Sequence, residues 1–366
     1  MRLQEWVIAA LMWSLAAGSV TAQTAERASA SEADRPIAPF DTDDARRWSV
    51  HVDDDLFSFA NRDRDYTGGV TFGLTGRRAH DHPLSLAGVL ERVDRAMGFA
   101  AARRGDAELK GEALEIGQLI FTPTNLAAAQ PLPDDRPYAN LLYAASSEVA
   151  LDEARGVAFQ STLTIGVLGL PFAEALQSEI HRLGGGIIPR GYSHQISDGG
   201  EPTFMYSVSR YRLLGEMSYG GRPYSVRFGA GASLGYLTEA NLEITARSDA
   251  PWWSSSDATA DYAGHPAIGG TAPGARERPR LQLEAGAKVH LRFYNAFLEG
   301  QFRASDVEYS PRELNPLLLD LWVGATLVFP KGFTLSYTIR HQTEEIERGR
   351  GARSFAWGRI GFAQSF

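Results

Sequence analysis

The chain has 366 residues, 44% of them hydrophobic and 22% charged, with a net charge of −8 and no cysteine. That length allows two ordinary soluble domains or one large all-β barrel. The acidic balance argues against nonspecific nucleic-acid binding, and the lack of cysteine suits an exported chain.

The first residues, MRLQEWVIAALMWSLAAGSVTAQ, place Arg2 before an apolar run from Trp6 to Ala17 and small residues ending at Ala22. The run is short for a membrane span, and the small-residue exit predicts a secretory signal over 1–22, cleaved after Ala22. A polar leader rich in Ala, Ser, Asp and Glu follows over 23–47, and the barrel is expected over 48–366.

Strands are predicted near 48–57, 66–76, 112–121, 139–150, 156–169, 202–219, 224–236, 240–247, 279–294, 317–329, 332–343 and 355–366. Twelve is an even number, so both termini fall on the periplasmic side. The first strand carries Asp53, Asp54 and Asp55 in HVDDDLFSFANRDRDYTGGV. Three carboxylates there mark either a solvated strand end or a cation site. Alternation puts Asp53 and Asp55 on one face and Asp54 on the other. Residues 77–111 include an amphipathic stretch, SLAGVLERVDRAMGFAA, in a periplasmic connection with His80-Asp81-His82. Between strands five and six, PFAEALQSEIHRL has a helical pattern. The connection over 248–278 is rich in Gly, Ala and Ser.

The C-terminal part is the clearest. In LLLDLWVGATLVF the apolar residues Leu319, Leu321, Val323, Ala325, Leu327 and Phe329 alternate with Asp320, Gly324 and Thr326, while Leu318, Trp322 and Val328 break the pattern. After the turn Pro330-Lys331-Gly332, FTLSYTIR alternates again. A period of two fits a soluble sandwich or a transmembrane barrel. Export and the terminal aromatic Phe366, which resembles a signal to the outer-membrane barrel assembly machinery, favour the barrel. Trp48, Tyr66, Tyr138, Tyr143, Tyr224, Trp322 and Trp357 are expected to form its interfacial girdles.

On this topology Asp53–Asp55, Tyr66-Thr67-Gly68-Gly69, Asp134-Asp135-Arg136-Pro137-Tyr138 and His181 all fall at the outer end. Clustered carboxylates and main-chain carbonyls suit calcium. A neutral His beside a polarised carbonyl can act as a general base. A G-x-S-x-G match at Gly231–Gly235 lacks the strand-turn-helix setting of a nucleophile elbow and is discounted.

These stretches also carry a resemblance. DDDLFSFANRDRDYTGGVTFGL, GQLIFTP at 117–123, DDRPYANLLY at 134–143, GVLGLPFAEALQSEIHRLGG at 166–185 and GYSHQISDGGEP at 191–202 resemble, in order and spacing, the outer-membrane lipid A 3′-O-deacylase (LpxR-like) family. The resemblance implies a twelve-stranded outer-membrane barrel with a short helix in an outer loop. It implies calcium-dependent hydrolysis of the 3′ ester-linked acyl chain of lipid A, the lipopolysaccharide anchor. Matched by position, His181 is the implied catalytic histidine, Thr67 and Gln177 its companions, and Asp55 and Asp54 the Ca2+ ligands, Asp54 standing where the family has asparagine. Arg136 and Tyr138 fall on the substrate side, Arg136 toward a phosphate. Two positions depart from the best-studied type of enzyme the chain resembles: Pro133 stands in place of a lysine, and Ile187 in place of a glutamate six residues after the histidine. The alternatives are an outer-membrane esterase or phospholipase for another envelope lipid, and a catalytically inert barrel.

Overall fold

Alternation along each strand decides what faces the lumen, and it is the polar set that points inward. In a computed structural model, which describes residues 47–58, 64–99, 108–219, 221–248, 252–253 and 279–365, strand β1 (Arg47–Asp54) buries Arg47, Ser49, His51 and Asp53 and turns Trp48, Val50 and Val52 outward. The expected signal, the leader up to 46 and Phe366 lie outside the described residues.

The strands are β1, β2 (Asp65–Thr75), β3 (Glu108–Thr122), β4 (Ala139–Asp152), β5 (Val157–Leu168), β6 (Glu201–Tyr219), β7 (Arg222–Gly235), β8 (Leu237–Ser248), β9 (Arg280–Asn295), β10 (Leu317–Val328), β11 (Phe333–Gln342) and β12 (Phe355–Ser365). Each pairs antiparallel with its sequence neighbours, and β1 closes on β12 to make a closed barrel of twelve strands. Arg47 pairs with Ser365, so both lie at one end of the barrel, the end expected to face the periplasm. Among the described residues no helix is long and apolar enough to cross a membrane, which leaves spanning to the strands.

The outward face is apolar. Phe72, Leu142, Ile165, Phe204, Phe293 and Val323 are all exposed there, as a lipid-facing belt requires. The lumen is filled with paired charges and aromatics. Arg359 grips Asp53 at 2.5 and 2.7 Å, Tyr66 donates to the same carboxylate at 2.7 Å, and Arg340 meets Asp320 at 3.3 Å. Such a packed interior leaves no wide aqueous channel.

The girdle expectation needs correction. Trp48 and Tyr224 do face outward, but Tyr66, Tyr143 and Trp357 belong to one buried cluster in the lumen. Trp322 also points inward, which explains its break in the alternation of β10. It sits 5.2 Å from the Arg340 guanidinium and donates to Glu284 at 3.2 Å. Its cross-strand partner is Gly286, where a Cβ would lie 2.1 Å from the indole. Gly286→Val is expected to destabilise the barrel by about 1–3 kcal/mol or more through overpacking. Loss of the compact form at lower temperature on a heat-modifiability gel checks this, and Trp322→Leu in the same chain is expected to restore it.

Helix α1 (Ala87–Ala96) leaves the inner end and lies against the outside of the wall. Ser161 and Tyr206, each donating to the buried Asp94 carboxylate at 2.7 Å, alternate with the lumen residues Thr162 and Met205 and so face outward. Leu90 packs with Leu163 and Tyr206 on the same face. His80, at the start of this connection, pairs with Glu112 at 2.8 Å.

Candidate functional site at the outer rim

Helix α2 (Phe172–Gly184) forms where the sequence pattern places it. Glu174 in its first turn and His181 and Arg182 in its last suit the helix dipole, and Gly185 closes it in the left-handed region at φ 74°. Ala173 and Gln177 are its buried residues. His181 lies one turn further along the same row, since residues four apart share a face.

That row faces the outer wall of the barrel. Leu119 and Phe121 of β3 point into the lumen, so Ile120 and Thr122 point out. Ala173 packs with Ile120, Leu126, Tyr138 and Tyr192. The Tyr192 hydroxyl donates to Gln177 Oε1 at 2.6 Å. Outward-facing Asn140 of β4 fixes the base of the helix, accepting from Leu170 N–H at 3.1 Å and donating to Leu170 O at 3.1 Å and Gln195 Oε1 at 2.6 Å.

The His181 ring is oriented by the main chain. Its Nδ1 lies 2.5 Å from the Ile187 carbonyl oxygen. A carbonyl only accepts, so Nδ1 carries the proton of the neutral ring and Nε2 the lone pair. Ile187 thus supplies through its backbone an oxygen that orients the imidazole.

The acidic run of β1 divides three ways. Asp53 belongs to the lumen pair already described. Asp54 ends the strand facing outward, and its carboxylate accepts the Leu56 N–H at 2.8 Å, capping a short turn over Asp55–Phe57. Asp55 is buried, its carbonyl accepting from Ser58 N–H and hydroxyl at 3.0 and 2.7 Å and its carboxylate from Arg64 N–H at 2.5 Å. The strand end at Asp54 explains how neighbouring carboxylates escape strict alternation. Opposite, a bulge between Tyr66 and Gly68 pushes Thr67 to the outside, where its hydroxyl bonds Thr122. Asp54, Thr67, Thr122 and Ile120 therefore face outward on neighbouring strands, and α2 meets that face where Ala173 packs on Ile120.

Arg136 is placed elsewhere, and the expectation that it meets a phosphate is corrected. It is 3% exposed, lies 5.3 Å from the ring centres of both Phe121 and Phe355, and donates to the Glu345 carboxylate, with Asp65 3.5 Å from its Nε. A guanidinium inside the lumen does not reach a headgroup. Tyr138, also placed on the substrate side from sequence, is buried against Tyr192 with ring centres 4.4 Å apart and donates to Leu126 O at 3.1 Å. It supports α2 from below.

The rest of the 134–137 stretch latches the rim. Arg350 grips Asp134 at 2.7 and 3.0 Å, and Arg353 bridges Asp65 and Asp135, each at 2.7 Å. Burial alone would raise the Asp135 pKa, but the Arg353 hydrogen bond and the Thr124 N–H outweigh it and hold the carboxyl below its usual range. A depressed carboxylate stabilises the fold above its unfolded pKa, and that stability is lost as pH falls through the folded value. The latch thus holds at neutral pH.

Sequence reasoning missed Thr122, Tyr192, Asn140 and the Ile187 carbonyl. Tyr192 and Gln195 lay within the stretch at 191–202 that carried the resemblance, while a main-chain oxygen leaves no mark in a sequence. The discounted Ser233 sits within β7 and donates to Leu237 O at 2.9 Å. Among the described residues no group of three or more His, Asp or Glu side chains gathers as a metal cluster, and Asp54 and Asp55 offer only oxygen donors to the expected calcium.

A family model described as "Outer membrane protein LpxR" matches residues 8–366. Among solved structures, LpxR from Salmonella typhimurium is 16% identical with a TM-score of 0.66, covering 87% of this chain and all of that one. A Pseudomonas putida F1 outer membrane channel follows at 10% identity and a TM-score of 0.40, covering 90% of this chain and 100% of that one. No curated protein matches the sequence.

Proposed function

The chain belongs to the LpxR family of outer-membrane proteins, and from that premise we propose that it hydrolyses the ester-linked 3′ acyl chain of lipid A in the outer leaflet. The observation that carries this reading is the His181 ring, fixed through Nδ1 by the Ile187 carbonyl on a helix packed over the outer wall.

In this reading Nε2 of His181 takes a proton from water as the water oxygen attacks the ester carbonyl carbon. The tetrahedral intermediate collapses, the carbon–oxygen ester bond breaks, and the imidazolium returns the proton to the departing sugar oxygen. A free fatty acid and a lipid A hydroxyl result. The Ile187 carbonyl holds the ring in place. Gln177 and Tyr192 keep the helix at its height above the wall. Thr67, tied to Thr122, lines the floor.

Asp54 and Asp55, completed by main-chain carbonyls and water, would hold Ca2+, whose preference is for such hard oxygens. Bound there, the cation supplies positive charge for the oxyanion that develops on the ester carbonyl. Activity is expected to vanish in chelator and return with calcium. Asp55→Asn keeps an acceptor for Arg64 N–H and is expected to raise the calcium needed for half-maximal hydrolysis. Full hydrolysis in chelator would remove the cation from the reading.

A second reading, hydrolysis of a different envelope lipid at the same site, is favoured by Pro133 and by the burial of Arg136, which leave this stretch without a cation for a phosphate.

A further inference from the structure

The face of α2 beside its wall-facing row is apolar and uncovered. With about 100° per residue and Gln177 set toward the wall, Ile180, Leu176 and Leu183 fall at about −60°, −100° and −120°, while Glu174, Ser178 and Arg182 fall at about +60°, +100° and +140°. The helix therefore has one apolar and one polar flank, on either side of the row that meets the barrel. Ile180 is 58% and Leu183 82% exposed, and the chain beyond the helix adds Ile187 at 60% and Ile188 at 39%. On the other flank Arg182 pairs with Glu179 in the open.

A helix lying on the outside of a membrane barrel has only two directions left for its flanks, the water and the bilayer. The strands beneath it carry the apolar belt close to its base. Leu142, near the outer end of β4, and Ile165, near the outer end of β5, are 41% and 45% exposed and face outward. β5 passes into α2 through only residues 169–171. The apolar flank thus continues the lipid-facing surface upward, and the polar flank turns to water.

We propose that α2 is an interfacial helix, seated in the outer leaflet by Ile180, Leu183, Ile187 and Ile188 against lipid acyl chains. The partner is the hydrocarbon of the leaflet itself. Seating at this level holds the His181 row at the boundary between headgroup and chain, which is the depth of an acyl ester. The seating itself does not depend on the deacylase reading: a chain that failed to hydrolyse lipid A would still show it.

The absence of cysteine makes the test direct. Single-cysteine variants of the full chain, Ile180→Cys, Arg182→Cys, Leu183→Cys and Ile187→Cys, are spin-labelled and refolded into vesicles of phosphatidylcholine and lipid A. Collision with oxygen, which concentrates in hydrocarbon, is compared with collision with a water-soluble nickel chelate. Labels at 180, 183 and 187 are expected to give an oxygen-to-nickel ratio several-fold above that at 182. Equal nickel access on both flanks would overturn the proposal. So would shielding of 183 and 187 from both reagents, because a second protein would then cover the flank. Two further apolar positions keep the test decisive if one variant fails to fold.

Discussion

His181→Ala is expected to abolish lipid A hydrolysis, by about 10²–10⁴-fold, while leaving the barrel folded. The size is that of a lost general base. The fold is spared because His181 sits on the outer helix, away from the buried lumen pairs, and α2 is anchored by Ala173, Gln177 and Tyr192. His181→Gln is expected to be equally inactive, because an amide has no basic nitrogen at pH 7 even where it fills the same space. Initial rates on vesicle-borne lipid A, with heat-modifiability as the folding control, check this. Retained activity in either variant would take the histidine out of the chemistry.

The second large effect is on stability. Arg136→Ala is expected to cost about 1.5–3 kcal/mol, the loss of a buried hydrogen bond between charged groups, because Glu345 keeps Arg292 and Asp65 keeps Arg353. The loss would show as a lowered unfolding midpoint and poor barrel yield, not as a selective weakening of substrate binding. Arg136→Lys is expected to rescue little, since an ammonium lacks the plane that lies near Phe121 and Phe355 and the fork that meets two carboxylates. The exposed Arg350, paired with Asp134 at the rim, gives the contrast: Arg350→Ala is expected to leave the midpoint unchanged. A stable, fully folded Arg136→Ala barrel with weakened binding of phosphorylated lipid would reverse this assignment.

The barrel was legible because a strand's period of two survives in the sequence whichever side is wet. The expected ends of β4 through β12 agree with the observed ones within a few residues. What the period does not tell is which face meets lipid. Trp322, Tyr66, Tyr143 and Trp357 looked like interfacial aromatics, but their rings fill a lumen lined with guanidinium and carboxylate groups. Arg136 looked like a headgroup contact for the same reason: charge near a strand end points equally well inward. Its partner Glu345 lies more than two hundred residues away in sequence, and no local pattern joins them. Helix α1 was legible as amphipathic, but that its apolar face meets the outside of the wall follows only from the pairing of Asp94 with Ser161 and Tyr206.

The site was legible in parts. The row Ala173, Gln177 and His181 follows from helical spacing, and the Asp run falls at a strand end as expected. The loss of a glutamate at Ile187 read as a departure from the family's pattern. The structure brings the Ile187 carbonyl to the His181 ring, a main-chain contact that residue identity does not record.

The measurement that bears most directly on the central claim is mass spectrometry of lipid A from cells expressing this chain, beside His181→Ala and Asp55→Ala, with calcium and with chelator. Loss of one 3′ acyl or acyloxyacyl group is expected only with the unaltered chain and calcium. Unchanged lipid A, from protein shown to be folded in the outer membrane, would contradict it.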